Sequence, residues 1–347
     1  MISNKYELTR PLGTGGVGEV YEALDREAGR SVVVKVLHDR YADRLRELRE
    51  RFESARYAEA LRQPSICAVT EVCETEDGRP CLVMPLLRGR SLAAELEATE
   101  GRFPADRAID IVYQVASTLQ QAHDAGVAHL ALKPSSLFLT ALGTRQDFVK
   151  ILDFGVAAAL VEPDQSEESL AGAWSAMGRP TFLSPEQAAG AGAVDHRADL
   201  YAMTAILYAL LTGRPPFEVP DPDALRALIL EGDVPLPGSL NPDISPALER
   251  VILKGMSRNP EDRYSSARQL KHALLKRVRL SSLRLPQYLT RLGFTGELPV
   301  FDPTELGSLE AHALDPAAPP SRLPLIAVGI AVVSAIVIAV IFASTSC

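Results

Sequence analysis

The first 88 residues alternate short apolar runs with polar turns, as in TEVCETEDGRPCLVMPLL, the near period-two rhythm of half-buried strands. The stretch Ala42 to Leu61 interrupts that rhythm with helical spacing. This part therefore predicts a small, mainly β lobe over about residues 5–84 carrying one main helix. From Ser91 the period changes. IDIVYQVASTLQQAH, YAMTAILYALL and PALERVILKGM place apolar residues three and four apart, which predicts a larger helical lobe over about residues 90–276. Residues 277–324 carry Pro286, Pro299, Pro303, Pro316, Pro319, Pro320 and Pro324, a density that stops helices and marks a linker. The run Leu325 to Ala343, LIAVGIAVVSAIVIAVIFA, holds no charge and only Ser334 as a polar residue, and it matches the ~20 apolar residues a bilayer core demands. It predicts one transmembrane helix, followed by a four-residue tail, STSC, at 344–347.

Arg322 precedes that run and no Lys or Arg follows it, so the positive-inside bias places the N-terminal bulk in the cytoplasm, on a single-pass anchor in the inner membrane. Ala327, Ala331, Ala335 and Ala339 recur every four residues along it, a stripe on which two copies could pack as a homodimer. Composition narrows the classes further. With 347 residues, 47% hydrophobic and 23% charged, the chain can build a full core, and its net charge of −8 excludes a protein whose main task is gripping nucleic acid. Cys67, Cys73, Cys81 and Cys347 form no CxxC pair, which argues for free thiols and against a zinc site. The N-terminus, MISNKYELTRPLGTGG, has no apolar run to serve as a signal peptide.

Candidate chemistry begins at Gly13-Thr14-Gly15-Gly16-Val17-Gly18. A GxGxxG turn between a strand and a helix would suit a dinucleotide, but here a strand-like EVYEALD follows, and a second strand, SVVVKVL, carries Lys35. A glycine-rich hairpin with a strand lysine lets backbone amides cover phosphates while the ammonium pairs them. Further along come His129-Leu130-Ala131-Leu132-Lys133-Pro134, Asp153-Phe154-Gly155 and Ser184-Pro185-Glu186, then Asp199 in DHRADLYAM and Arg263 in NPEDRY. In this order and spacing the chain resembles a bacterial serine/threonine protein kinase, from about Tyr6 to Lys276.

The resemblance implies an α+β, two-lobed protein-kinase-like fold over residues 1–276, with ATP and Mg²⁺ between the lobes. It assigns Lys35 to the α- and β-phosphates, Asp153 to Mg²⁺ and Lys133 to the transferred phosphoryl group. Leu12, Gly13, Gly15, Gly16, Gly18 and Val20 would cover the nucleotide. Met84 would be the gatekeeper, with the carbonyl of Pro85 and the carbonyl and amide of Leu87 facing adenine. Asp199 and the Glu186–Arg263 pair would keep the fold.

Departures from the family pattern cluster at the chemistry. Ala131 stands where the catalytic aspartate is expected, and a methyl group accepts no proton. Ser136 replaces the metal-binding asparagine. The helix glutamate that should pair with Lys35 falls near Ser54 or Ala55, with Glu53 and Glu59 as displaced candidates. Leu130 removes the arginine that binds an activation-loop phosphate, and Arg179 stands where a threonine contacts the catalytic aspartate. Val33 and Phe138 are larger than the residues that usually flank adenine, so nucleotide binding itself stays open. Two readings follow: a membrane-tethered pseudokinase acting as scaffold or allosteric partner of a cytoplasmic or membrane signalling protein, or a working serine/threonine kinase.

Overall fold

Lys35 lies near the end of the most apolar strand of the small lobe, between Val32, Val33, Val34, Val36 and Leu37, all buried. In the computed structural model, which describes residues 1–54, 57, 63–99, 101–143, 145–161, 180–190 and 194–277, that strand is β3 (Arg30–Leu37). It pairs antiparallel with β2 (Gly18–Asp25), and β2 pairs with β1 (Tyr6–Gly15) through the glycine turn. After α1 (Leu45–Glu53), β4 (Glu71–Glu74) and β5 (Pro80–Pro85) complete a five-stranded sheet of order β1-β2-β3-β5-β4. Every residue of β5 but the last is buried, as its central place demands, whereas β1 is exposed beyond its first two residues, as an edge strand tolerates. Register sets Val20 opposite Lys35, Lys35 opposite Leu82 and Val33 opposite Met84. Gly18 is required where it stands: a Cβ there would sit 2.1 Å from the carbonyl oxygen of Val36.

The expected helix from Ala42 to Leu61 is not continuous. A 3₁₀ turn covers Asp39–Arg44, α1 follows, and the backbone leaves the helix at Ser54, whose ψ is 143°. The cause is local. The Ser54 hydroxyl donates to the Arg51 carbonyl at 2.7 Å and accepts the amide of Tyr57 at 3.3 Å, bonds that compete with the helical ladder.

The larger lobe starts with β6 (Arg90–Ser91) and α2 (Leu92–Ala98), capped by the Ser91 hydroxyl on the Ala94 amide. Its centre is α3 (Ala105–Asp124) packed on α6 (Arg197–Thr212), which is buried from Ala198 to Thr212. Between them come the hairpin β7 (Leu137–Leu142) and β8 (Arg145–Ile151), joined to β6 in a second sheet, then α4 (Val156–Leu160) and α5 (Pro185–Ala188). The helices α7 (Pro222–Glu231), α8 (Pro237–Leu240), α9 (Pro246–Gly255) and α10 (Ala267–Arg277) close the lobe, with α10 against α3 and α9 against α6. The lobes are stitched where Ile151 donates to the Ser65 carbonyl and accepts from the Cys67 amide. The linker beyond Arg277, the apolar run Leu325 to Ala343 with its alanine stripe, Ala55, Glu59 and Arg179 lie outside the described residues. Among the described residues no helix is long and apolar enough to cross a membrane. Cys67, Cys73 and Cys81 are buried free thiols.

Arg263 holds the base of the large lobe. Its buried guanidinium makes a two-pronged pair with Glu186 at 2.6 and 2.8 Å, donates to the carbonyls of Ser257, Arg197 and Arg258, and lies 5.0 Å from the Tyr201 ring centroid. Removing one partner of a buried pair strands the other, so Arg263→Ala is expected to lose about 3–5 kcal/mol of unfolding free energy in urea titration. Arg263→Lys should recover less than half of it, because an ammonium cannot reproduce the fork. A loss under about 1 kcal/mol in the alanine variant would contradict this role.

Candidate functional site

Three turns converge between the lobes. The first is the β1–β2 hairpin, whose tip is braced to the segment after β3. The Val17 carbonyl accepts the His38 amide at 3.0 Å, the Gly15 carbonyl accepts His38 Nε2 at 3.2 Å, and the Gly16 carbonyl accepts Arg40 at 2.5 Å. His38 and Arg40 escaped sequence reasoning, since nothing in their spacing marks them. Val17, Val33 and Met84 are buried in one apolar cluster, with Val20 and Leu87 packed against it. Leu12 and Pro85 are exposed at its rim. Phe138 is half-buried, and its ring edge lies 3.0 Å from where a Gly89 Cβ would stand, beside the segment joining the lobes.

The second turn is the loop before β7, positioned by Asp199. This carboxylate, wholly buried, accepts the amides of His129 (2.8 Å) and Leu130 (2.7 Å) and Nε2–H of His123 (2.8 Å). Burial alone would push its pKa up, but these donors and the imidazoles hold it below the ordinary carboxylate value. They also hold Leu130 at φ +63°, a region costly for a leucine. His129 Nε2 donates to the Leu152 carbonyl at 2.9 Å, so Nδ1 is free to accept the Ala131 amide at 3.2 Å. Burial lowers the His129 pKa and keeps the ring neutral. Leu130 and Ala131 are half-buried against the cluster that includes Val156, Leu160 and Leu183.

The third turn is Asp153-Phe154-Gly155. Asp153 sits at φ +57°, which an aspartate tolerates, and its carboxylate pairs with Lys35 across the cleft. Lys35 is 8% exposed, and among the described residues this is the ion pair it makes. Glu53 is exposed at the end of α1 and does not take that place. Burial would raise the Asp153 pKa, but the charge and hydrogen bond of Lys35, with His129 and Lys133 behind it, bring it below the usual carboxylate value. Burial lowers the Lys133 pKa; Asp153 opposes that shift and Lys35 adds to it. Phe154 is fully buried edge-on to His129, and its carbonyl accepts the hydroxyl of Tyr57 at 2.9 Å. Tyr57 also stands edge-on to Phe52 and fills the space over Gly155, where a Cβ would meet its ring at 2.8 Å. Sequence reasoning missed Tyr57, although it lies in the RFESARY stretch searched for a glutamate.

The sequence pattern of the family described as protein kinase domain matches residues 6–275. The chain belongs to the protein kinase family. It is similar to serine/threonine-protein kinase pkn3 of Myxococcus xanthus, at 37% identity over 275 residues, 79% of this chain and 50% of that protein. It is also similar to serine/threonine-protein kinase PknB of Mycolicibacterium smegmatis, at 36% over 282 residues, 79% of this chain and 43% of that protein. The chain thus spans half or less of the length of these curated relatives. The crystal structure of the Mycobacterium tuberculosis PknI kinase domain superposes with a TM-score of 0.60 at 25% identity, covering 80% of this chain and 98% of that one.

Kinases in general use ATP and Mg²⁺, and the residues of this cleft can be set against that pair. Lys35 and Asp153 pair across the cleft and Lys133 acts on the same carboxylate, so the residues that sequence assigned to phosphate and metal come together. The oxygen donors fit a divalent cation poorly. Ala131 offers none, and the Ser136 hydroxyl is 1% exposed and spent within its own turn, donating to the Lys133 carbonyl at 2.8 Å and accepting the Lys133 amide at 3.0 Å.

Two outcomes follow from this geometry. Tyr57→Phe keeps the ring and deletes one buried hydrogen bond, so it should lower unfolding free energy by about 1–2 kcal/mol; a loss under 0.5 kcal/mol would mean the bond does not hold the Phe154 turn. Asp199 and Asp153, with depressed pKa values, add stability that is complete above the unfolded value of about 3.9 and lost as pH falls through the folded values. His129, neutral when folded, loses its share as pH falls below its unfolded value of about 6.5. The urea midpoint is therefore expected to decline gently below about pH 6.5 and steeply below about pH 4, and a midpoint that rises on acidification would contradict this assignment.

Proposed function

We propose that this chain is a membrane-tethered pseudokinase that holds a nucleotide between its lobes and acts as a signalling scaffold or allosteric partner of a cytoplasmic or membrane protein. The observation that carries the reading is Ala131. It occupies the loop position fixed by Asp199, where a kinase presents the carboxylate that orients and deprotonates the substrate hydroxyl, and a positioned base is worth ~10²–10⁴ in rate. Lys35 bonded to Asp153 rather than to a helix glutamate supports the same reading. The tether is the apolar run Leu325 to Ala343, with the domain on the cytoplasmic side and the alanine stripe available for self-association.

A second reading, transfer of the ATP γ-phosphate to serine or threonine hydroxyls, is favoured by the relatives, whose names are those of serine/threonine kinases, and by the retained Lys35, Lys133 and Asp153. The two separate in one assay: full-length protein in detergent micelles, γ-labelled ATP with Mg²⁺ or Mn²⁺, and a serine/threonine-rich acceptor protein. The pseudokinase reading expects no label above that of Lys35→Met, and none after Ala131→Asp with Ser136→Asn, because among the described residues no glutamate pairs with Lys35. Label in the parent chain that disappears in Lys35→Met would establish the kinase reading instead.

A further inference from the structure

Two thiols face each other on the side of the small-lobe sheet that Lys35 does not use. Cys73 of β4 and Cys81 of β5 are direct partners in the antiparallel register. Opposed residues in such a ladder have Cα atoms about 4.5–5.5 Å apart and side chains on one face, inside the range of roughly 4.4–6.8 Å that a disulfide spans. The ladder itself brings the two sulfurs within bonding reach. Both are free thiols, 4% and 0% exposed, and both pack in one apolar cluster with Val34, Val36 and Val83. Cys67 belongs instead to the cluster on the cleft side, with Leu82 and Met84.

The cover over this pair is held by a few polar bonds. The segment Ile2–Tyr6 is fastened to β4, where the Ser3 hydroxyl donates to the Glu74 carbonyl at 3.2 Å and the Lys5 ammonium and Tyr6 hydroxyl both donate to Glu71, at 2.8 and 2.7 Å. Ile2 and Tyr6 pack in the same cluster as the thiols. Because β4 is four residues long and lies at the sheet edge, local release of this strand and its cover exposes the pair without unfolding the lobe. Their surroundings give the two sulfurs different roles. The Cys81 sulfur holds Cys73 below the ordinary thiol value, whereas contact with Cys73 and burial push Cys81 up. Burial pushes Cys67 up to about 11.

We propose that Cys73 and Cys81 are a peroxide-reactive pair that closes into a reversible cross-strand disulfide. Cys73, as the thiolate, attacks one oxygen of hydrogen peroxide: an S–O bond forms, the O–O bond breaks, and the leaving hydroxide takes the proton that Cys73 released, giving water. The Cys81 sulfur then attacks the Cys73 sulfenic acid. The S–S bond forms, the S–O bond breaks, and the departing hydroxide takes the Cys81 proton as a second water, so the two sulfurs give up the two electrons that the peroxide accepts. The bond fastens the edge strand to β5, which lies beside the strand carrying Lys35 and ends at Pro85. It forms whether or not the cleft transfers phosphate.

Peroxide treatment of the folded full-length chain in detergent tests this, followed by alkylation of the remaining thiols under denaturing conditions and peptide mass spectrometry. Cleavage after Glu71, Glu74 and Glu76 puts Cys67, Cys73 and Cys81 on separate peptides. The expected result is a Cys73 peptide linked to a Cys81 peptide, lighter by two hydrogens and separated by dithiothreitol, with Cys67 alkylated. Tyr6→Phe, which keeps the ring and removes one bond of the cover, should form the link about three- to tenfold faster, and an unchanged rate would overturn Ile2–Tyr6 as the cover. Cys73→Ser should leave Cys81 a thiol; oxidation of Cys81 there at the parent rate would overturn Cys73 as the attacking sulfur. Cys73 and Cys81 both still alkylated after peroxide, or Cys73 carried on to sulfinic acid with Cys81 free, would overturn the pair. So would a link found only in chains that have lost their cooperative melt.

Discussion

The carboxylate of Asp199, buried at the start of α6, sets the shape of everything in the cleft. It takes three N–H donors, two of them consecutive backbone amides, and each hydrogen bond to a charged acceptor contributes about 1.5–3 kcal/mol. That is enough to hold Leu130 in a left-handed conformation costing about 1–2 kcal/mol. With Leu130 fixed, its carbonyl accepts Gln187 of α5 at 2.7 Å, and the imidazole of His129 reaches the Leu152 carbonyl just before Asp153. One buried charge thereby places the loop, the helix after it and the turn that carries Asp153.

The frame of this molecule does not depend on the side chain at position 131. The loop's path needs only backbone amides and His129, none of which involves the side chain at 131. A methyl group can therefore occupy that position without distorting the fold, and Ala131 packs against the same apolar cluster as Leu130. The Lys35–Asp153 bond has a similar logic: with no described glutamate at Lys35, a buried ammonium and a half-buried carboxylate satisfy each other. The Glu186–Arg263 pair then keeps the large lobe closed whether or not phosphate is transferred.

Changes of hydrophobic period mark a β-rich lobe followed by a helical one, because strands and helices bury different faces. The glycine turn and Lys35 were legible from their spacing, and Asp199, Glu186 and Arg263 from resemblance to the family. What escaped depends on single local bonds. The apolar spacing runs through Ser54 as though the helix continued, yet one hydroxyl bonding Arg51 and Tyr57 ends it. Ser136 read as a weak metal ligand because residue type says nothing of direction, and its hydroxyl turns inward. Tyr57 was invisible because its role is to reach the Phe154 carbonyl, 97 residues away in sequence.

The central proposal is that a kinase frame held by Asp199 and Arg263 keeps its phosphate-binding residues while Ala131 leaves no base at that position to activate the acceptor hydroxyl. Phosphorus NMR of ATP added at equimolar concentration to the full-length chain tests it most directly. The account predicts that the three phosphate resonances shift and broaden on binding and then persist unchanged for hours, with and without Mg²⁺. Growth of ADP, inorganic phosphate or a phosphoprotein signal, at a rate that Lys35→Met abolishes, would contradict it.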